Sequence, residues 1–207
     1  MKSQPKPPDK PKRQRRAPFD RNQGVRIAKA LFHARGYDAV SVADLTQALG
    51  IVPPSLYAAY GSKLELFQRT LDEYVATDFL ALDQILDSTA SPAEELTELF
   101  VAAARHYTRD AAQRGCMVTE AMRADDPDAA GVAIVLAGLG TEVIRKYIAA
   151  HARPNHVDRI LDYVLLTLRG LSSYACLGFS TEKLVSCSKV AGRALDAEFS
   201  AAAAPMR

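Results

Sequence analysis

Residues 30–67, ALFHARGYDAVSVADLTQALGIVPPSLYAAYGSKLELF, decide the fold. Leading into this tract, Val25, Ala28, Leu31 and Phe32 recur at helical spacing, and Gly36 supplies the left-handed residue that ends a helix, so the first helix is predicted over 20–35. Ser41 stands three residues before Asp44, a capping box with Asp in place of Glu or Gln, and Val42, Leu45, Ala48 and Leu49 follow on one face. The second helix is therefore short and stops at Gly50. Proline forces the residue before it out of the α region, so Pro53 is expected to cap and Pro54 to open a third helix over 54–60. Three short helices with a glycine turn between the second and third meet the requirement of a helix-turn-helix, in which one helix braces and the next enters the major groove.

Outward from this tract the pattern stays helical. Lys63 opens a helix with Leu64, Phe67, Leu71 and Tyr74 on one side, predicted as a linker over 63–87. Further helices are predicted over 91–113, 117–123, 128–151, 155–177 and 180–199, bounded by the Ser91-Pro92, Arg114-Gly115, Asp126-Pro127 and Arg153-Pro154 breaks. With 48% hydrophobic residues and few strand-forming aromatics, the chain reads as all-α with about nine helices. The predicted organisation is a disordered basic arm over 1–18, a helix-turn-helix domain over 19–62, and a ligand-sensing and dimerisation domain over 63–207.

Charge distribution supports that division. Residues 1–21 carry eight Lys or Arg against two Asp, residues 22–75 balance five against five, and residues 76–207 carry thirteen against seventeen. The first part suits a polyanion. The Pro- and Lys/Arg-rich arm buries nothing, so it reads either as a solubilising tail or as a flexible phosphate or minor-groove contact. No unbroken apolar run of eighteen residues and no signal peptide is present, so a cytoplasmic protein is expected. Cys116, Cys176 and Cys187 lack CxxC spacing and are expected to be reduced and mostly buried. GxSxG, HExxH, Walker and dinucleotide-binding glycine patterns are missing, and His33, His106, His151 and His156 show no metal-ligand spacing. No catalytic residue, metal or cofactor is therefore assigned.

The quoted tract closely resembles the TetR/AcrR family of bacterial repressors, with a further likeness at Arg114-Gly115-Cys116-Met117, where many members start their sixth helix. The resemblance implies a homodimer on double-stranded DNA, with 41–49 bracing, 53–60 as the recognition helix, and Lys63 at the start of the fourth helix. Candidate DNA contacts are Ser41, Pro53, Pro54, Ser55, Tyr57, Ala58, Ala59, Tyr60 and Lys63. Ser41 would hold a phosphate at a helix N-terminus, and Lys63 would supply a point charge to the backbone. Tyr60 matches a family position usually held by Phe, which points it toward the core as well.

The recognition helix contains no Arg, Asn or Gln, so no bidentate base contact is available from it. Reading must rest on Ser55, Tyr57, the alanine methyls against thymine, and groove shape. In the middle helices, His106, Tyr107, Cys116, Met117, Glu120, Arg123 and Tyr147 punctuate apolar positions and are candidate contacts for an unidentified small-molecule effector. The broad apolar faces Ile160, Leu161, Val164, Leu165, Leu168, Leu171 and Leu184, Val190, Ala191, Leu195, Phe199 are assigned by the resemblance to a four-helix dimer interface. A thiol redox sensor using Cys116, or a helical interaction module binding acidic protein or RNA, are the other classes the residues allow.

Overall fold

The computed structural model describes residues 20–86 and 90–203. The predicted arm over 1–18 lies outside the described residues. Among those described, the chain folds as ten helical segments: α1 (Arg21–Arg35), α2 (Val42–Leu49), α3 (Pro53–Tyr60), α4 (Lys63–Thr77), α5 (Leu82–Ile85), α6 (Pro92–Thr108), α7 (Met117–Ala121), α8 (Pro127–His151), α9 (Pro154–Cys176) and α10 (Thr181–Ala203). No strand occurs among the described residues.

Local chemistry sets the N-terminal boundaries. Asp20 caps α1 by accepting from the amides of Asn22 and Gln23 at 2.9 and 3.1 Å. At α2 the capping box forms as the sequence predicts: the Asp44 amide donates to Ser41 Oγ at 3.1 Å, and the Ser41 amide donates to Asp44 Oδ2 at 2.8 Å. Gly50 ends α2 in the left-handed region, φ 64° and ψ 30°. One correction falls at α3, whose cap is Val52 rather than Pro53. Both prolines occupy the first helical turn, where a missing N–H costs nothing, so the extended residue before them takes the capping position.

The predicted linker helix over 63–87 breaks, giving α4, a turn and the short α5. Asp78 ends α4 because its carboxylate is drawn into a cluster: Lys29 Nζ of α1 lies 2.5 Å away, and Arg109 beyond α6 donates to the other oxygen. Phe79 then turns onto α8 at Gly140, where a Cβ would lie 3.2 Å from the ring. Helix α6 stops at Thr108 rather than 113, since the Asp110 side chain accepts from the Ala112 amide and the Gln113 side chain. Such local bonds offer the backbone an alternative to helix.

The α1–α3 unit is fastened to α4 by aromatic packing. Phe32 of α1 meets Phe67 of α4 edge-on at 5.0 Å between centroids, and Tyr37 of the α1–α2 turn lies 4.8 Å from the same ring. Leu45, Leu56 and Tyr60 complete that core. The same core continues between α6, α9 and α10 around Leu96, Leu99, Phe100, Ile160, Leu161, Val164 and Leu184. At Gly192 of α10 a Cβ would collide with Thr97 of α6, so the two helices run close together there.

Helix α8 has mean hydropathy 1.4 over its most apolar eighteen-residue window, enough by length and composition for a membrane span, although its unbroken apolar run, 129–140, is shorter than eighteen residues. Its Ala129, Ala133, Ile144 and Ile148 face packs against the rest of the bundle. Two thiol expectations also change: Cys116 is buried, but Cys176 and Cys187 are exposed.

Phe67 contributes contacts to both partners of the aromatic knot. Phe67→Ala should lower unfolding free energy by about 3–5 kcal/mol in denaturant titration. A loss under about 1 kcal/mol would show that the knot is not what fastens α1 to α4.

Candidate functional site

Two inward side chains hold α3: Leu56 and Tyr60 are 0% and 1% exposed. The opposite side is open, with Pro53, Pro54, Ser55, Tyr57 and Ala58 exposed and Ala59 half-buried. Tyr57 is 48% exposed, so its ring projects from the rod. Tyr60 does not belong with it. Its hydroxyl donates to the Arg21 carbonyl at 2.9 Å, which ties α3 to the start of α1 and removes the ring from any outside partner.

Ser41 is exposed at the tip of α2, and its hydroxyl lies 2.5 Å from Asp44 Oδ2. Hydrogen bonds from Ser41, first its side chain and then its amide, hold the Asp44 carboxyl at about 2, with Arg35 adding to them. Lys63 departs further from expectation. Its ammonium sits 3.9 Å over the Tyr37 ring, half-buried, and burial lowers its pKa while Asp38 and Asp126 oppose that. A backbone phosphate would have to draw it off this seat. Sequence reasoning missed Val52, which is 61% exposed beside the prolines, and Gln47, exposed on α2. The signal for Val52 was present, because a residue forced into extended geometry at a helix tip has no helical face to bury.

A second site opens behind this unit, a cavity of about 70 Å³ enclosed by α4 to α9. Three of the predicted effector contacts line it: His106, Tyr107 and Cys116. Met117, Glu120 and Arg123 do not. They lie on the other side of α7, in a cleft shared with Phe32, His33, Tyr37 and Asp38. Tyr147 points elsewhere again, 4.6 Å from the His151 ring and hydrogen-bonded to Glu95 of α6. The cavity wall includes Phe79, Leu82, Met122, Gly140, Leu165 and Arg169, none of which was predicted. Phe79 and Leu82 reach it only because the linker breaks at Asp78, a break with no local sequence signal.

Helix α7 is thus a five-residue plate with the cavity on one face and the cleft shared with α1 on the other. Position is enforced from α9: the Cys116 amide donates to Ser172 Oγ at 2.9 Å, and that hydroxyl donates to Glu120 Oε1 at 2.8 Å. Gly115, at φ 79°, brings the chain against α9, since a Cβ there would lie 2.6 Å from Cys176 Sγ. Its carbonyl also meets His33 Nε2 of α1 at 3.2 Å.

Beyond α7, the Asp38 carboxylate accepts from the amides of Asp125 and Asp126 at 2.8 and 3.4 Å. Burial, then the neighbouring Asp126 carboxylate, pushes the Tyr37 hydroxyl up to about 12. A latch of Tyr37, Asp38 and Lys63 therefore joins the α1–α2 turn to the start of α8.

The part of the cavity wall around His106 is electrically quiet. Burial, with Arg109 acting in the same direction, pushes the His106 imidazole down to about 4, so it is neutral at pH 7. Its Nε2 lies 3.5 Å from the Tyr74 hydroxyl, and burial raises the pKa of both Tyr74 and Tyr107. Among the described residues, no group of three or more His, Cys, Asp or Glu is placed to hold a metal ion.

A braced, solvent-facing helix carried on a bundle with an internal cavity defines the class of helix-turn-helix regulators. Residues 25–70 match the family model described as bacterial regulatory proteins, tetR family. The chain is 40% identical over 194 residues to the HTH-type transcriptional repressor BdcR of Escherichia coli strain K12, covering 94% of this chain and 95% of that one. It is 30% identical to the HTH-type transcriptional repressor ComR of the same organism, covering 86% and 88%. A solved structure of the TetR family regulator CifR, as a cysteine mutant complexed with 26-base-pair operator DNA, superposes with TM-score 0.75 at 31% identity, covering 88% of this chain and 99% of that one. The chain belongs to the tetR family of bacterial regulatory proteins.

The pH dependence of stability follows from His106. Its folded value lies below the ordinary 6.5, so the fold favours the neutral ring, and that contribution is full above about pH 6.5 and lost as pH falls toward 4. His33, also lowered by burial, acts in the same sense. Thermal melts of His106→Gln should show a shallower decline in Tm between pH 6.5 and 4 than the parent; an unchanged slope would contradict the assignment.

Proposed function

We propose that this chain is a cytoplasmic transcriptional repressor that grips a near-palindromic operator as a homodimer and lets go when a small molecule occupies the cavity. The role is regulatory rather than catalytic. The observation that carries it is the division of α3, with Leu56 and Tyr60 locked inward while Pro53 to Ala58 otherwise faces solvent. An eight-residue rod held this way presents its N-terminal half to the major groove, as the family resemblance implies. The operator complex of CifR supports the reading. Residues 20–62 act as the DNA-binding unit and 63–203 as the sensing and dimerisation unit.

Dimerisation is supported by apolar side chains left outside the core on the last two helices: Leu166 and Tyr174 on α9, Leu177 at its C-terminal cap and Val190 on α10 are 50–72% exposed. Of these only Val190 is among the residues the sequence pattern singled out, and the others it named are mostly buried within the chain. The helices are the same, and the face is the next one round.

Base reading from this α3 is sparse, so affinity rests largely on backbone contacts and groove shape. Fluorescence anisotropy on the operator duplex should show affinity falling at least about a hundredfold between about 50 and 200 mM salt. Tyr57→Ala should weaken binding about tenfold, while Tyr60→Phe, which loses only an internal hydrogen bond, should bind like the parent once folded. A salt-independent affinity, or a Tyr57→Ala protein that binds normally, would overturn the assignment of this face.

Release works through α7, because whatever fills the cavity presses on the plate that packs on α4 and borders the cleft with α1. The Asp38 latch transmits that movement to the α1–α2 turn. In Asp38→Ala the amide protons of Asp125 and Asp126 should exchange with solvent at least about tenfold faster in hydrogen-exchange measurements. Unchanged exchange at those two amides would remove the latch from the coupling route.

A further inference from the structure

The cavity reveals which class of effector it accepts. Its inner polar atoms are already engaged: the Tyr74 and Tyr107 hydroxyls are hydrogen-bonded to Cys116, the Tyr74 hydroxyl also faces His106, and the Thr141 hydroxyl donates to the Ala137 carbonyl at 3.0 Å. What remains to line the interior is carbon, from Phe79, Leu82, Ile144, Leu165 and Leu168. A ligand body placed there gains by apolar burial and finds no waiting polar partner.

At the wall two polar groups differ from the rest. The Arg169 guanidinium of α9 and the Thr119 hydroxyl of α7 line the cavity, and neither makes a hydrogen bond or ion pair among the described residues. Arg169 is exposed and Thr119 half-buried, which places them toward the opening rather than the floor. No carboxylate lines the cavity, so its one formal charge is positive. A guanidinium beside a hydroxyl donor is the pairing that holds a carboxylate, with the charge kept near water and the body inside.

We propose that the effector is a small monocarboxylic acid, its carboxylate held by Arg169 and Thr119 and its apolar body filling the chamber. This rests on the reading of the cavity as the sensing site. A cavity of about 70 Å³, under half of the roughly 150 Å³ that takes a benzene ring, seats a body of about three non-hydrogen atoms, a short saturated chain. Phe79 sets the limit on one side, seated where Gly140 has no side chain.

Isothermal titration of the full chain tests this with butyrate and isobutyrate against butyramide and isobutyramide, alongside operator-release assays with the same four compounds. The acids should bind and release the operator, with the amides at least about tenfold weaker. Arg169→Gln should erase that difference, Thr119→Val should weaken acid binding severalfold, and Ala137→Leu, which fills the chamber, should abolish binding, each with a parental melting profile. Amides that bind as tightly as acids and release the operator would overturn the carboxylate assignment while leaving the cavity as the sensing site. Acids that bind equally well to Ala137→Leu would overturn both. Failure of all four compounds to bind at millimolar concentration would sink the monocarboxylate proposal, leaving operator binding as a separate result.

Discussion

The packing of Phe32 and Tyr37 onto Phe67 is the contact on which the rest of the architecture depends. Ring centroids within 4.8–5.9 Å bring α1, the α1–α2 turn and α4 into one body. That body fixes where α3 can sit, because α3 is too short to stand alone and is anchored by its two buried side chains, Leu56 and Tyr60, with Ala59 half-buried beside them. It also fixes where α7 can sit. The cleft on the far side of α7 is walled by Phe32, Tyr37 and Phe67 themselves, so the aromatic knot and the coupling plate share one surface.

In the proposed reading the logic of regulation is mechanical and local. A five-residue helix between a cavity and the DNA-binding unit has no independent stability and takes its position from neighbours. Ser172 and Glu120 hold one end, and Asp38 holds the loop beyond the other. The cluster of Lys29, Asp78 and Arg109 adds a second tie between α1 and the sensing helices. Burial disfavours the Asp78 carboxylate, yet Lys29, Thr77 and Arg109 outweigh it and hold the group at about 2. A ligand that fits one arrangement of the plate better than another shifts the balance of recognition-helix positions by its difference in affinity for the two.

Much of this was legible in the sequence where the cause is local. Asp20, Ser41 with Asp44, and Gly50 announce their helices because capping and left-handed turns are settled within a few residues. The exposed face of α3 was legible for the same reason, apart from Tyr60, whose hydroxyl finds Arg21 thirty-nine positions away. The cavity was only half legible. Assigning Met117, Glu120 and Arg123 to it failed because a helix of barely more than one turn has no periodic face to read. Phe79 and Leu82 were missed because the break at Asp78 is made by side chains from α1 and from beyond α6. Long-range charge pairing leaves no pattern in the segment it breaks.

The central claim is that α3 reads duplex DNA as one of a symmetric pair. Selection of bound duplexes from a random pool tests it most directly, since enrichment reports recognition and half-site spacing reports dimer geometry. The account requires inverted half-sites whose centres lie about one helical turn, or a multiple of it, apart. Enrichment of a single unrepeated site, or no enrichment of double-stranded sequences at low salt, would contradict it.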